Sequence, residues 1–138
     1  MATVQKPECT CGDTSAAVGG KKRIIFPCAG VANVGQISNI ASLQLNEEGY
    51  GAATCVALLG AGDAGLKQRV FDADEVVIID GCPVACGAKI AAAQGVLPAR
   101  HIVITTLGIE KGPSKQYTEE DVETVVSAVW KGKGTSSS

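Results

Sequence analysis

Three cysteines stand at positions where they could do chemistry together. Cys28 lies in Phe26-Pro27-Cys28-Ala29-Gly30, and Cys82 and Cys86 lie in Asp80-Gly81-Cys82-Pro83-Val84-Ala85-Cys86-Gly87. Each group follows an apolar run of the kind that ends a strand. Proline suits the first turn of a helix, where its missing N–H is not needed, so a helix beginning near Pro83 would put Cys86 about one turn beyond Cys82. The two sulfurs would then face the same way. A helix N-terminus carries unsatisfied N–H groups and partial positive charge, which favour the thiolate that binds metal or attacks electrophiles. Three negative sulfurs in one place repel each other unless a cation neutralises them, so their convergence argues for Zn²⁺ or an iron-sulfur cluster. The Cys-x₃-Cys spacing also suits a reversible disulfide with Cys28 as the resolving thiol, which keeps a thiol redox carrier or sulfur-handling protein open. Any one of these residues, taken alone, is as readily a small buried hydrophobe.

The elements that must position these sulfurs are legible in the apolar pattern. Four short runs read as strands: Arg23–Pro27, Thr54–Leu59, Glu75–Asp80 and His101–Thr106. They are rich in Val, Ile and Leu without clean alternation, as strands of a parallel sheet covered on both faces are. Helical patterns lie between them. Ile37, Ile40, Ala41 and Leu45 recur three or four apart until Gly49 and Gly51; shorter helices fit Ala64–Asp72 and roughly Val84–Gln94. The clearest helix opens at Thr118-Glu-Glu-Asp121 with capping-box spacing and continues through a stripe of Val122, Val125, Val126 and Val129. The order β-α-β-α-β-α-β-α implies right-handed crossovers and one α/β domain of three layers. The expected sheet is four-stranded and parallel, of order 2-1-3-4, flavodoxin-like or Rossmann-like, with helices on both faces. Ligands in such folds bind beyond the carboxyl ends of the strands where the winding reverses, here between the first and third. Cys28 and Cys82 flank that point.

Composition narrows the setting. The chain has 138 residues, 46% of them hydrophobic, enough for a single core without disulfide staples. Residues 1–20 read as a flexible arm carrying Cys9 and Cys11, residues 21–131 as the folded domain, and residues 132–138 as a disordered tail. Twelve Lys and Arg against fourteen Asp and Glu, with no long run of one sign, give no footprint for nucleic acid. No apolar stretch approaches the roughly 20 residues of a membrane span, and Met1 to Cys9 do not read as a secretory signal. A soluble cytoplasmic protein is expected, without nucleic acid or membrane partners. Thiols there stay reduced, so six cysteines point to metal or redox chemistry before disulfides.

Cys55 and the arm are harder to place. If Thr54–Leu59 is a strand, Cys55 lies early in it, and at about 3.3 Å per residue it falls far from the carboxyl edge. It then reads as a core thiol. Cys9 and Cys11 could fold over the site as additional ligands, or recruit another protein in a partner-binding module built around a structural metal.

From about Arg23 to Gly112 the chain resembles the DGC-domain proteins, a family described as zinc-binding. The residues that carry the resemblance are Pro27-Cys28-Ala-Gly30 with Asn33-Val34-Gly35, Cys55 and the glycine loop after it, Ile79-Asp80-Gly81-Cys82-Pro83 with Cys86, and Leu107-Gly108-Ile109-Glu110-Lys111-Gly112. The resemblance implies four metal ligands, Cys28, Cys55, Cys82 and Cys86, and so readmits Cys55 against the distance argument. The family often has Asp before the Leu-Gly that follows the fourth strand; Thr106 stands here instead.

Other motifs compete with the cysteines. Gly60-Ala-Gly62-Asp63-Ala-Gly65 has the G-x-G-x-x-G form, with Asp80 ending the next strand, but a chain of this length lacks room for two nucleotide-binding halves. A tight glycine turn is the plainer reading. His101 begins the fourth strand and is assigned to the opposite edge of the sheet. Asp63 and Asp80 could support the site, or Asp80 could cap the following helix. Lys89 reads as a solvated helix residue. The expectation is a zinc protein serving metal or sulfur handling, with the iron-sulfur or thiol redox protein and the partner-binding module as alternatives.

Overall fold

The computed structural model describes residues 21–134. Cys9 and Cys11, and the end of the tail, lie outside them. A four-stranded parallel sheet has the order β2-β1-β3-β4. Its strands are β1 (Arg23–Pro27), β2 (Ala52–Ala53), β3 (Glu75–Asp80) and β4 (Arg100–Val103). The helices are α1 (Asn33–Glu47), α2 (Val56–Gly60), α3 (Ala64–Asp72), α4 (Cys86–Ala93) and α5 (Glu119–Trp130), with a 3₁₀ turn at Ile104–Leu107. No described helix is long and apolar enough to cross a membrane.

Alternation along the central strands sorts the core into two layers. Ile25, Val77 and Ile79 face α1 and α5, meeting Ile37, Ala41 and Leu45 from the first helix and Val122, Val125, Val126 and Val129 from the last. Ile24, Phe26, Val76 and Ile78 face the other way, onto Leu59, Leu66, Val70 and Ala91. Both faces of β1 and β3 are therefore buried, which explains why these strands read as unbroken apolar runs. The helix leaving β1 covers one face and the helix following β3 covers the other. The winding therefore reverses between the carboxyl ends of β1 and β3, where the ligand crevice of such folds lies.

The expected strands Arg23–Pro27 and Glu75–Asp80, and the helix Ala64–Asp72, have those bounds. The capping box at Thr118 is present: its hydroxyl accepts from Asp121 N at 3.2 Å, and the Asp121 carboxylate accepts from Thr118 N at 2.9 Å. Two strands differ. The second is Ala52–Ala53, and Thr54–Leu59 mostly belongs to α2, because Val56 and Leu59, three apart, both turn into the core. A short apolar run does not distinguish a buried helix from a strand. The fourth strand ends at Val103 and tightens into the 3₁₀ turn, whose Thr105 N–H binds Gly81 O at 3.2 Å.

The remaining difference lies at the third helix. It begins at Cys86 rather than near Pro83, since Ala85 adopts the left-handed region with φ 56° and ψ 50°. Cys82 to Ala85 instead form a turn, closed by Ala85 N–H to Cys82 O at 3.0 Å.

Candidate functional site

The carboxyl end of β1 is built around Cys28. Its N–H continues the ladder to Ile79 O at 2.9 Å, so its backbone stays joined to β3. Its sulfur accepts a hydrogen bond from Gly81 N–H at 3.3 Å and lies 3.6 Å from Ser38 Oγ on α1. Ser38 settles the direction of the second contact. Its single hydroxyl proton goes to Gly35 O at 2.6 Å, and its oxygen accepts Ala29 N–H at 3.1 Å. A hydroxyl has one donor and two acceptor positions. The Cys28 S–H therefore donates into the remaining lone pair of Ser38, and the thiol is satisfied as donor and as acceptor.

Close approach makes this junction possible. A Cβ on Gly35 would lie 2.3 Å from Gly30 O, and one on Gly81 would lie 2.8 Å from the backbone of Val34. Only glycine lets the start of α1 seat against both strand ends. Ala29, directly after Cys28, has φ 52°, the left-handed region that costs a non-glycine residue roughly 1–2 kcal/mol. With Ala85, it forms a pair of strained alanines in the loops flanking the crevice; such outliers cluster at functional sites.

The carboxyl end of β3 divides its residues between the two layers. Asp80 is 1% exposed and turns toward α4, where Oδ1 accepts Gly87 N–H at 2.7 Å and Oδ2 accepts Ala88 N–H at 3.1 Å. It thus caps α4 from outside, since Ala85 has no side chain able to do so. His101 Nε2 lies 2.7 Å from the same Oδ2. Because a carboxylate only accepts, Nε2 carries the hydrogen. This corrects the assignment of His101 to the far edge: β4 starts late in register, with His101 level with Ile78, two residues from Asp80.

Cys82 turns the opposite way. It is half-buried and packs against the α1 and α5 layer. Lys111 Nζ donates toward its sulfur at 3.6 Å. The lysine is brought there by Asn33, 2% exposed at the first turn of α1. Asn33 Nδ2 donates to Glu110 O and Gln116 O, both at 2.9 Å, and Oδ1 accepts Gly112 N–H at 2.6 Å. One buried amide thus pins the segment on both sides of Lys111.

These placements overturn the expected metal centre. Among the described residues, no group of three or more His, Cys, Asp or Glu side chains could hold a metal ion. Neither zinc nor an iron-sulfur cluster is supported, and the metal-binding reading, its cysteine cluster and the metal ion as partner are withdrawn. The reason is local. Cys82 and Cys86 are not successive turns of one helix; the Ala85 kink separates them, Cys82 packing on the α1 layer and Cys86 opening α4 on the other. Cys28 is committed to Gly81 and Ser38. Cys55 precedes α2 just beyond β2, so the distance argument against it fails with the strand that carried it, yet it stays exposed and joins no cluster. None of the four described cysteines is disulfide-bonded.

The glycine motif likewise loses its nucleotide reading. It links α2 to α3 rather than strand to helix, and Asp63 fills the start of α3 by accepting Leu66 N–H at 2.9 Å. Reasoning from residue types did not single out Ser38, Asn33 or Lys111. Ser38 left a faint signal as a polar residue beside the apolar stripe of α1; Asn33 and Lys111 stood only within the motifs of the resemblance.

Fold and site together define a small parallel α/β protein with thiols placed at the switch point of its sheet. The DGC domain matches residues 24–129, and the chain belongs to that family. The zinc-binding property carried by the resemblance does not extend to the arrangement seen here. The chain is also similar to the anaerobic and virulence modulator AnvM of Pseudomonas aeruginosa, 26% identical over 100 residues, which are 72% of this chain and 76% of that protein. No solved structure matches it.

Proposed function

We propose that this chain is a regulatory protein whose working group is a single reactive thiol, Cys82, which captures small electrophiles covalently with Lys111 as its electrostatic partner. The observation that carries this reading is the Lys111 Nζ to Cys82 Sγ contact of 3.6 Å. An ammonium beside a sulfur stabilises negative charge there, and the thiolate is the nucleophile. Positioning is provided in advance by Asn33, so the pair need not be assembled by the ligand.

The surroundings suggest what the electrophile looks like. Val31 and Val84, 83% and 49% exposed, are apolar side chains on the loops after Cys28 and Cys82. A compound with an apolar body and an anionic or carbonyl end suits such valines together with Lys111. The name of the relative describes a modulator, which supports a regulatory rather than a metabolic role. A cytoplasmic location fits as well, since thiols are kept reduced there. Residues 21–131 form the working domain in this reading.

The test is iodoacetamide labelling followed by peptide mass analysis on the wild type and on Lys111→Met and Lys111→Arg. Removing the charge should slow labelling of Cys82 by about tenfold, the equivalent of one charge-assisted contact, while arginine should restore most of the rate. Equal rates in all three proteins would sink the proposal.

A further inference from the structure

We infer that Cys82 and Lys111 form a reversible covalent bridge when the sulfur is oxidised, an S–N bond between Sγ and Nζ. The inference rests on the Cys82 reading above and adds a regulation of the same site. Contact at 3.6 Å between nitrogen and sulfur leaves only side-chain rotation to bring the atoms to bonding distance. Lys111 is exposed, so its four-carbon stem has room to make that movement.

The alternatives for an oxidised Cys82 are less well placed. Cys28 is held by Gly81 N–H and Ser38, and Cys86 lies past the Ala85 kink on the other layer. Nitrogen is the nucleophile in contact. A sulfenic acid condenses with a thiol when one is adjacent, and with a nitrogen when that is what lies beside it.

The chemistry balances with a peroxide as oxidant. The Cys82 thiolate attacks one peroxide oxygen, the O–O bond breaks, and the leaving hydroxide is protonated to water, leaving Cys82 as sulfenic acid. Lys111, after passing a proton to solvent, attacks the sulfur through Nζ. The S–N bond forms, the S–O bond breaks, and a second water leaves. Sulfur has given two electrons to the peroxide. An added thiol reverses the step: its sulfur attacks Cys82, the S–N bond breaks, Nζ regains its proton, and a second thiol releases Cys82 from the mixed disulfide.

The bridge has a mechanical consequence. It would tie the segment held by Asn33 to the turn after β3 and remove the nucleophile at once. Further oxidation of Cys82 to the irreversible sulfinic acid would be prevented.

The experiment treats the full chain with excess hydrogen peroxide, enough for two oxidations of every thiol, and maps peptides without reduction. The expected product joins the Cys82 and Lys111 peptides with a mass two hydrogens below their sum, and it disappears on reduction. In Lys111→Arg, whose guanidinium is no nucleophile, the bridge should be lost and Cys82 sulfinic acid should accumulate. A wild-type protein whose Lys111 stays unmodified, with Cys82 in a disulfide, as sulfinic acid or unoxidised, overturns the inference. If such a protein still labels fastest at Cys82 with iodoacetamide, only the bridge falls; if Cys82 resists both reagents, the proposed function falls with it.

Discussion

Two sulfurs end neighbouring strands a few residues apart in the sheet, and their surroundings differ in kind. Cys28, after β1, is enclosed by groups of fixed protonation: a backbone N–H donates to it and a serine oxygen accepts from it. Cys82, after β3, meets the ammonium of an exposed lysine. The first arrangement uses up a thiol's hydrogen-bonding capacity and joins three chain segments. The second gives the half-buried sulfur a charged side chain as its neighbour. Having the same residue type at a strand's carboxyl end does not make two sites alike; what differs is whether the partners are backbone or a cation.

The largest effect on the scaffold that carries this contrast should come from Asp80, two residues before Cys82 and turned toward the α4 layer. Asp80→Ala strands two helix N–H groups and removes the contact with His101. The expected loss is about 3 kcal/mol, the sum of several unmade buried bonds, read as a lower midpoint in chemical denaturation. Because Asp80 faces the α4 layer, the Lys111 dependence of Cys82 labelling should persist in the folded fraction. A denaturation midpoint unchanged from wild type would show that the cap contributes nothing.

A smaller effect should follow Ser38→Ala. Gly35 O, Ala29 N–H and the Cys28 thiol would all lose a partner. Stability should drop by about 1–2 kcal/mol, and Cys28 labelling should rise while Cys82 labelling holds. If labelling rose equally at both sulfurs, the two ends of the crevice would be one unit and the contrast would collapse.

The smallest effect on the sulfurs should come from a residue remote from both. Burial raises the Tyr50 hydroxyl from its ordinary 10.0, with Arg23 pulling it down, Glu75 pushing it up and Arg100 pulling it down. Its ring also stacks under Arg23, 4.6 Å from the centroid, and edge-on to Trp130. The folded state therefore holds the proton after the unfolded chain has released it. The stabilising contribution is complete below pH 10 and is lost as pH climbs through the raised folded value. Tyr50→Phe should remove that part of the alkaline decline in a denaturation series above pH 10, and leave both labelling rates as in the wild type. An alkaline decline of unchanged steepness would contradict the burial argument.

Much of this architecture was legible because it is local or periodic. The runs Ile24–Phe26 and Val76–Ile79, the valine stripe of α5 and the Thr118 cap each declare themselves within a few residues. The position of Cys28 and Cys82 at the switch point followed from them. What failed depended on single torsions and on partners distant in the chain. Nothing in Pro83-Val84-Ala85 announces that Ala85 will take a left-handed conformation, yet that angle starts α4 at Cys86 and leaves Cys82 in the turn before it. Nor does Thr54 to Leu59 show that its apolar residues are spaced for a helix rather than a strand. The Lys111 contact depends on Asn33 reaching 77 and 83 residues along the chain to Glu110 and Gln116, which no local pattern encodes.

The most direct test of the difference between the two sulfurs is a time course of labelling on the reduced, full-length wild type. A limiting amount of iodoacetamide is added, the reaction is stopped at intervals, and the modified fraction at Cys28 and Cys82 is read from the same digests. Cys82 should be consumed at least about tenfold faster, the factor equivalent to 1.4 kcal/mol of barrier. Labelling of Cys28 at an equal or greater rate would contradict the account.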